Sequence, residues 1–395
     1  MRTVGLSRGW LLCILLSLLG GGAHAEPLRP LIGRERVHAV AAGENLYTIS
    51  RAYGLAIEHL AFANHLPVGL HVPAGTRLVV PTRRVLPAAP SQDGLVVNLP
   101  ERGFFLFRNG RFEKFYPVAI GSPGRFMTPP GEYTLVSRVA HPTWLPPEWA
   151  GMGETVVPAG PENPLGDRWM GLSGSGLGIH STTSPTYIGA AVSHGCMRMY
   201  PEMAREVFEK VRVGMPVRIE YEPVKLGIDQ ETGEIYLAVF PDVYGMVDLE
   251  EEARKRLREL GILGLVGEEQ LAKLLAAKGT PRLLFGSGTV LVDGEEIDAD
   301  PPALVARGSL FMPGSVARAL GMTLEYDAES RQITVSRDGQ EAAFPVEDAA
   351  VMPRAYLWRG QALLPARPLL SQFGIAFRWE PDTRTLHIAA DAHDE

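Results

Sequence analysis

Past the first 25 residues this chain contains one cysteine, Cys196, so no disulfide within the chain can staple it. Each folded unit must therefore hold itself together by burying apolar side chains. The composition allows this: 46% of the 395 residues are hydrophobic, 21% are charged, and the mean hydropathy is near zero. That balance is globular rather than disordered. The length is too great for one small core and fits two to four domains. A formal charge of −7 argues against nucleic acid as a partner, because a phosphate-binding surface needs a basic excess.

Residues 1–25 read as a secretory signal: Arg2 and Arg8 at the start, an apolar run from Trp10 to Leu19, and an A-x-A site at Ala23-His24-Ala25. The apolar run is too short for a comfortable membrane span. Cleavage would remove Cys13 and deepen the formal charge to −9. The chain is thus expected to be exported, extracellular or periplasmic, with no integral membrane span after cleavage.

Residues 36–82 form a compact block. Val37 to Val40 alternates like a strand, and Asn45 to Tyr53 and Ile57 to Asn64 carry apolar residues at helical spacing. Arg77 to Val80 is a second strand. The βααβ order and the pattern through Val40, Gly43, Glu44, Leu46, Ile49, Tyr53, Leu60, Asn64, Pro73, Gly75, Leu78 and Pro81 resemble a LysM module. The resemblance implies binding to glycan strands containing N-acetylglucosamine, such as those of peptidoglycan. Glu44-Asn45 departs from the usual Asp-Thr or Glu-Thr, and asparagine can still cap the helix.

Residues 83–93 read as a linker by composition. From 94 to 221 short β-type runs dominate, with a hairpin signal at Asn109-Gly110, and a β-sandwich or barrel is expected. Residues 222–283 read as a hairpin followed by a helical connecting segment. Residues 284–391 hold an internal repeat: Gly308 to Pro313, Gly321-Met322, Tyr326-Asp327 and Ile333 to Val335 recur as Gly360 to Pro365, Gly374-Ile375, Trp379-Glu380 and Leu386 to Ile388. Arg331 and Arg384 hold the same place in each copy. This duplicated α+β unit resembles the domain at the N-terminus of some copper amine oxidases, which implies attachment. It offers no histidine or thiol cluster for copper. The fold class expected overall is multidomain and mainly β, with α+β modules at both ends.

The chemistry centres on Ser193-His194-Gly195-Cys196-Met197-Arg198, sixteen residues after His180. A thiol nucleophile needs a base, something to orient the base, and donors for an oxyanion. His180 is the candidate base. The amides of His194, Gly195 and Cys196 are candidate donors. Arg198, two residues beyond the thiol, suits a substrate carboxylate. Ser193 and Tyr187 are candidate lining residues, and Trp144 in its Pro-rich surround either belongs to a lid or pins a loop. Two other readings exist: an inert buried cysteine, and a zinc site from His180, His194 and Cys196, for which no fourth ligand is evident.

Pro117 to Gly121, Thr128 to Tyr133, Pro142 to Pro147, Asn163 to Gly166, Gly178 to His180 and Ser193 to Met199 follow in one order, and this series resembles the L,D-transpeptidase family. The resemblance implies Cys196 as nucleophile and His180 as general base, with the Ser181 main-chain carbonyl orienting the imidazole. It implies no metal or cofactor. The expected substrates are peptidoglycan stem peptides: Cys196 attacks the diamino acid at the third position, D-alanine leaves, and an amine on another stem takes the acyl group in a 3→3 cross-link. Carbapenems acylate this cysteine in the family. Hydrolysis of the thioester (an L,D-carboxypeptidase) and a non-catalytic wall-binding scaffold are the alternatives.

Overall fold

The computed structural model describes residues 28–147, 156–174, 176–299, 301–346 and 352–389. The signal read at residues 1–25 lies outside them. No described helix is long and apolar enough to cross a membrane.

The first module has the expected βααβ order. Strands Glu35–Ala39 and Arg77–Pro81 pair antiparallel, and helices Leu46–Ala52 and Ile57–Ala63 lie between them. The Asn45 side chain accepts from the Thr48 amide at 2.9 Å, and the Thr48 hydroxyl accepts from the Asn45 amide at 3.0 Å. This reciprocal cap fixes where the first helix begins. Leu46, Ile49, Leu60, Leu78 and Val80 form the core. Asn64 ties the second helix to the strand, bonding the Leu60 carbonyl and both polar groups of Val79.

The middle of the chain forms one eight-stranded sheet. Its order is Met197–Arg198, Gly178–His180, Arg168–Leu172, Gly131–Ala140, Pro216–Glu220, Gly94–Asn98, Gly103–Arg108 and Arg111–Pro117. The Asn109-Gly110 turn has positive φ at both residues (49° and 74°), the geometry of a tight hairpin. The sheet curls into a half-barrel, a narrower form than the β-sandwich or barrel expected. The reason is helix Pro201–Lys210, whose Met203, Ala204 and Val207 join Leu95, Phe104, Met170, Ile179 and Val217 in one core. That helix stands where a second sheet would pack.

The 83–93 stretch is not a free tether. Arg84–Val85 pairs antiparallel with the short strand Arg29–Ile32, and Arg84, Val85 and Leu86 are buried. Arg29–Ile32 in turn pairs in parallel with Val224–Ile228. The 222–283 segment is likewise more than a connector. Val224–Ile228 and Ile235–Val239 form the expected hairpin, and the second strand joins Arg282–Val292 of the C-terminal part in a shared sheet. Helices Leu249–Glu259 and Glu268–Ala276 pack over it through Ala253, Leu257, Leu271 and Leu274.

The repeat folds twice in the same way. Strand Ser309–Pro313, helix Gly314–Ala319 and hairpin Thr323–Asp327/Gln332–Arg337 are matched by Gln361–Pro365, Ala366–Gln372 and Ala376–Glu380/Thr385–Ala389. The two copies meet where Met312 pairs with Leu364. Arg331 and Arg384 both adopt positive φ (53° and 51°), so their shared place is a turn position.

Candidate active site

Strand Met197–Arg198 lies parallel to Gly178–His180, with Ile179 opposite Met197 and His180 opposite Arg198. The register sets His180 and Arg198 side by side, with Cys196 at the near end of its strand. Gly195 has φ +111°, a backbone state open mainly to glycine, and it turns the chain sharply just before the thiol. Cys196, His180, Arg198, Ser193 and His194 all line one cavity of about 700 Å³. Trp144, Leu165 and Trp169 face the same space.

The His180 ring is held from two sides. Its Nδ1–H donates to the Ser181 carbonyl at 2.6 Å, which leaves the lone pair on Nε2. Trp169 stacks on it with centroids 5.9 Å apart and planes 29° from parallel. The indole itself lies over two cross-strand partners, Gly171 and Gly178. A Cβ on Gly178 would come within 2.5 Å of the indole ring, so the absent side chain is what lets the tryptophan lie flat.

Burial dominates the electrostatics. It pushes His180 down to about 4, with the nearby Arg198 charge adding to the shift and the Ser181 and Leu165 carbonyls opposing it. Burial raises Cys196, against the Gly178 amide and Arg198, which favour thiolate. The thiol donates to the Gly176 carbonyl at 3.6 Å. The resting pair is therefore thiol and neutral imidazole, not the preformed ion pair that a standing thiolate would require. His194 is exposed and lowered by burial and Arg198. Its ring meets Phe126 edge-on at 4.4 Å. The Arg198 Nε is buried without a hydrogen-bond partner, and the residue lines the cavity, an arrangement suited to an incoming carboxylate.

Two other expected site residues have further contacts or lie away from the cavity. The Gly195 amide, expected to face an oxyanion, donates to Ser193 Oγ at 3.2 Å, and Ser193 Oγ itself donates to the Cys196 carbonyl. Ser193 thus braces the loop as well as lining the cavity. Tyr187, on the turn Pro185–Tyr187, is 55% exposed and is not among the cavity's lining residues. Trp144 lines the cavity, and its backbone pairs with Val157. Among the described residues no group of three His, Cys, Asp or Glu side chains is placed to hold a metal ion.

The sequence reading gave no role to Trp169, or to Thr128 at the head of the Thr128 to Tyr133 motif. Thr128 is fully buried, and its hydroxyl donates to the Gly195 carbonyl at 2.7 Å. The signal for Trp169 was its place two before Gly171, with Gly178 two before His180.

Residues 92–219 match the profile of the L,D-transpeptidase catalytic domain, and residues 38–81 match that of the LysM domain. The probable L,D-transpeptidase YcfS of Escherichia coli K12 is 32% identical over 224 residues, covering 52% of this chain and 70% of that protein. The chain belongs to the L,D-transpeptidase family. A second relative, the probable L,D-transpeptidase YbiS of the same organism, is 37% identical over 157 residues, 37% of this chain. The match spans half the length of YbiS. A solved L,D-transpeptidase from Mycobacterium tuberculosis aligns with 38% of this chain and 74% of its own, at 20% identity and a TM-score of 0.27. Both profile matches end by residue 219 of this chain.

Proposed function

We propose that the protein is an exported, cell-wall-associated L,D-transpeptidase in which Cys196 is the nucleophile and His180 the general base. The observation that carries this is the shared cavity: thiol, imidazole with its lone pair on Nε2, and the guanidinium of Arg198 all face it. As Sγ attacks the carbonyl of the third stem residue, its proton passes to His180 Nε2. The tetrahedral oxyanion is met by the Cys196 amide, the Gly195 amide being committed elsewhere. Collapse of the intermediate breaks the amide bond, and His180 returns the proton to the departing D-alanine amine. The acceptor amine then attacks the thioester, gives its proton to His180, and the thiol is released. Arg198 would hold a substrate carboxylate.

The LysM module would anchor the enzyme on glycan strands, and the duplicated C-terminal unit reads as an attachment domain of the copper amine oxidase N-terminal type. Incubation with a carbapenem tests the centre of this reading. The full chain should gain the mass of one adduct, and Cys196→Ala should gain none while keeping its far-ultraviolet circular dichroism. An unlabelled wild-type protein would leave the wall-binding scaffold as the better account. With tetrapeptide stems, cross-linked dimers are expected, and tripeptide as sole product would identify a carboxypeptidase.

A further inference from the structure

The polypeptide leaves the curled sheet at Glu220 and soon afterwards turns back onto it. Asp242 organises that return: its carboxylate accepts from the Met246 and Val247 amides at 3.0 and 2.9 Å and from the Tyr221 hydroxyl. The Tyr221 oxygen accepts from the Tyr244 amide at 2.9 Å, and the two rings stack 5.5 Å apart at 19°. Held this way, the Tyr244 phenol donates to the Gly121 carbonyl at 3.0 Å and accepts from the Thr128 amide at 3.1 Å. It closes the neck of the Gly121 to Thr128 loop.

Thr128 passes the constraint inward. Its Oγ1 accepts from the Gly121 amide at 2.8 Å and donates to the Gly195 carbonyl at 2.7 Å. That carbonyl shares a rigid peptide plane with the Cys196 N–H. Gly195 at φ +111° has the broad backbone freedom of glycine, and with Ser193 holding the flanking peptides, the hydrogen bond from Thr128 fixes the direction of the Cys196 N–H. We infer that Tyr244, which lies outside the segment matched to the catalytic domain, is a positioning residue that acts through Thr128 to aim the Cys196 amide at the oxyanion. This rests on the proposed role of Cys196 as an acyl-accepting nucleophile.

The test separates acylation, which needs the oxyanion donor, from alkylation by iodoacetamide, which needs only the thiol and its base. In the full chain, Tyr244→Phe should slow carbapenem acylation by about three- to tenfold, the order expected for loss of one orienting hydrogen bond. Its iodoacetamide rate and the pH profile of that rate should match wild type. Thr128→Val should slow acylation further, by about ten- to a hundredfold. The double variant should be no slower than Thr128→Val alone, because Tyr244 acts through that residue. Acylation of Tyr244→Phe at the wild-type rate overturns the inference. So does an equal fall in acylation and alkylation, or a multiplicative loss in the double variant. A wild-type protein that reacts with iodoacetamide but never with the carbapenem overturns the enzymatic reading itself, and this inference with it.

Discussion

Burial lowers His180 to about 4 and raises Cys196, so near neutrality the thiol keeps its proton and the imidazole carries none to spare. Attack on a carbonyl then requires neutral His180 as acceptor, and activity is lost where His180 becomes protonated. Carbapenem acylation followed against pH should be flat from about 5 to 8 and half-maximal near 4. An acid limb at the ordinary imidazole value of 6.5 would show that the ring is not desolvated as described. At this scale the sequence was informative about the reacting groups, because Cys196, His180 and Arg198 lie in short local motifs. It assigned no role to Thr128, Trp169 or Tyr244, whose effects depend on cross-strand register and on contacts between distant segments.

Among the elements, the strand pair Arg168–Leu172 and Gly178–His180 does the most for the site. Gly171 and Gly178 clear a floor for Trp169, and the indole backs His180. Gly178→Ala should drive a methyl group into the ring, costing about 1–3 kcal/mol by overpacking. Denaturant unfolding should report that loss, and acylation should slow as His180 loses its backing; unchanged values for both would refute the arrangement. The LysM elements were readable almost to the residue, since helical periodicity and the Asn45 cap mark their ends. The half-barrel was not. Its strands carry the same alternation as a sandwich, and only helix Pro201–Lys210 on the concave face decides between them. The four residues of Arg29–Ile32 were too few to show any period.

For the molecule as a whole, Glu101 is the meeting point. Its carboxylate pairs with Arg84 at 3.1 Å and Lys225 at 2.5 Å, and its carbonyl accepts from His59 Nε2 at 2.9 Å. Lys225 also donates to the Val85 carbonyl at 2.6 Å. One residue thereby joins the LysM helix, the 83–93 stretch, the curled sheet and the Val224–Ile228/Ile235–Val239 hairpin. Lys225→Met leaves a buried carboxylate with half its compensation, and a loss of about 3–5 kcal/mol in denaturant unfolding is expected. A loss under 1 kcal/mol would show that the cluster is dispensable. Acid should loosen the same junction. His59 is held well below 6.5, first by burial and then by Arg84 and Arg102, and His180 is lowered to about 4. Between 6.5 and those native values the unfolded chain binds more protons, so stability falls as pH drops below 6.5. His180 alone accounts for about 3 kcal/mol of this, measurable as a falling Tm between pH 7 and 4. The Pro-rich composition of 83–93 suggested a tether because composition carries no record of which distant strand will accept a short segment. The parallel pairing of Arg29–Ile32 with Val224–Ile228 imposes an order of events on a chain synthesised amino end first. Nearly two hundred residues must emerge before the opening strand meets its partner, and until then its backbone waits in water with that edge unclaimed.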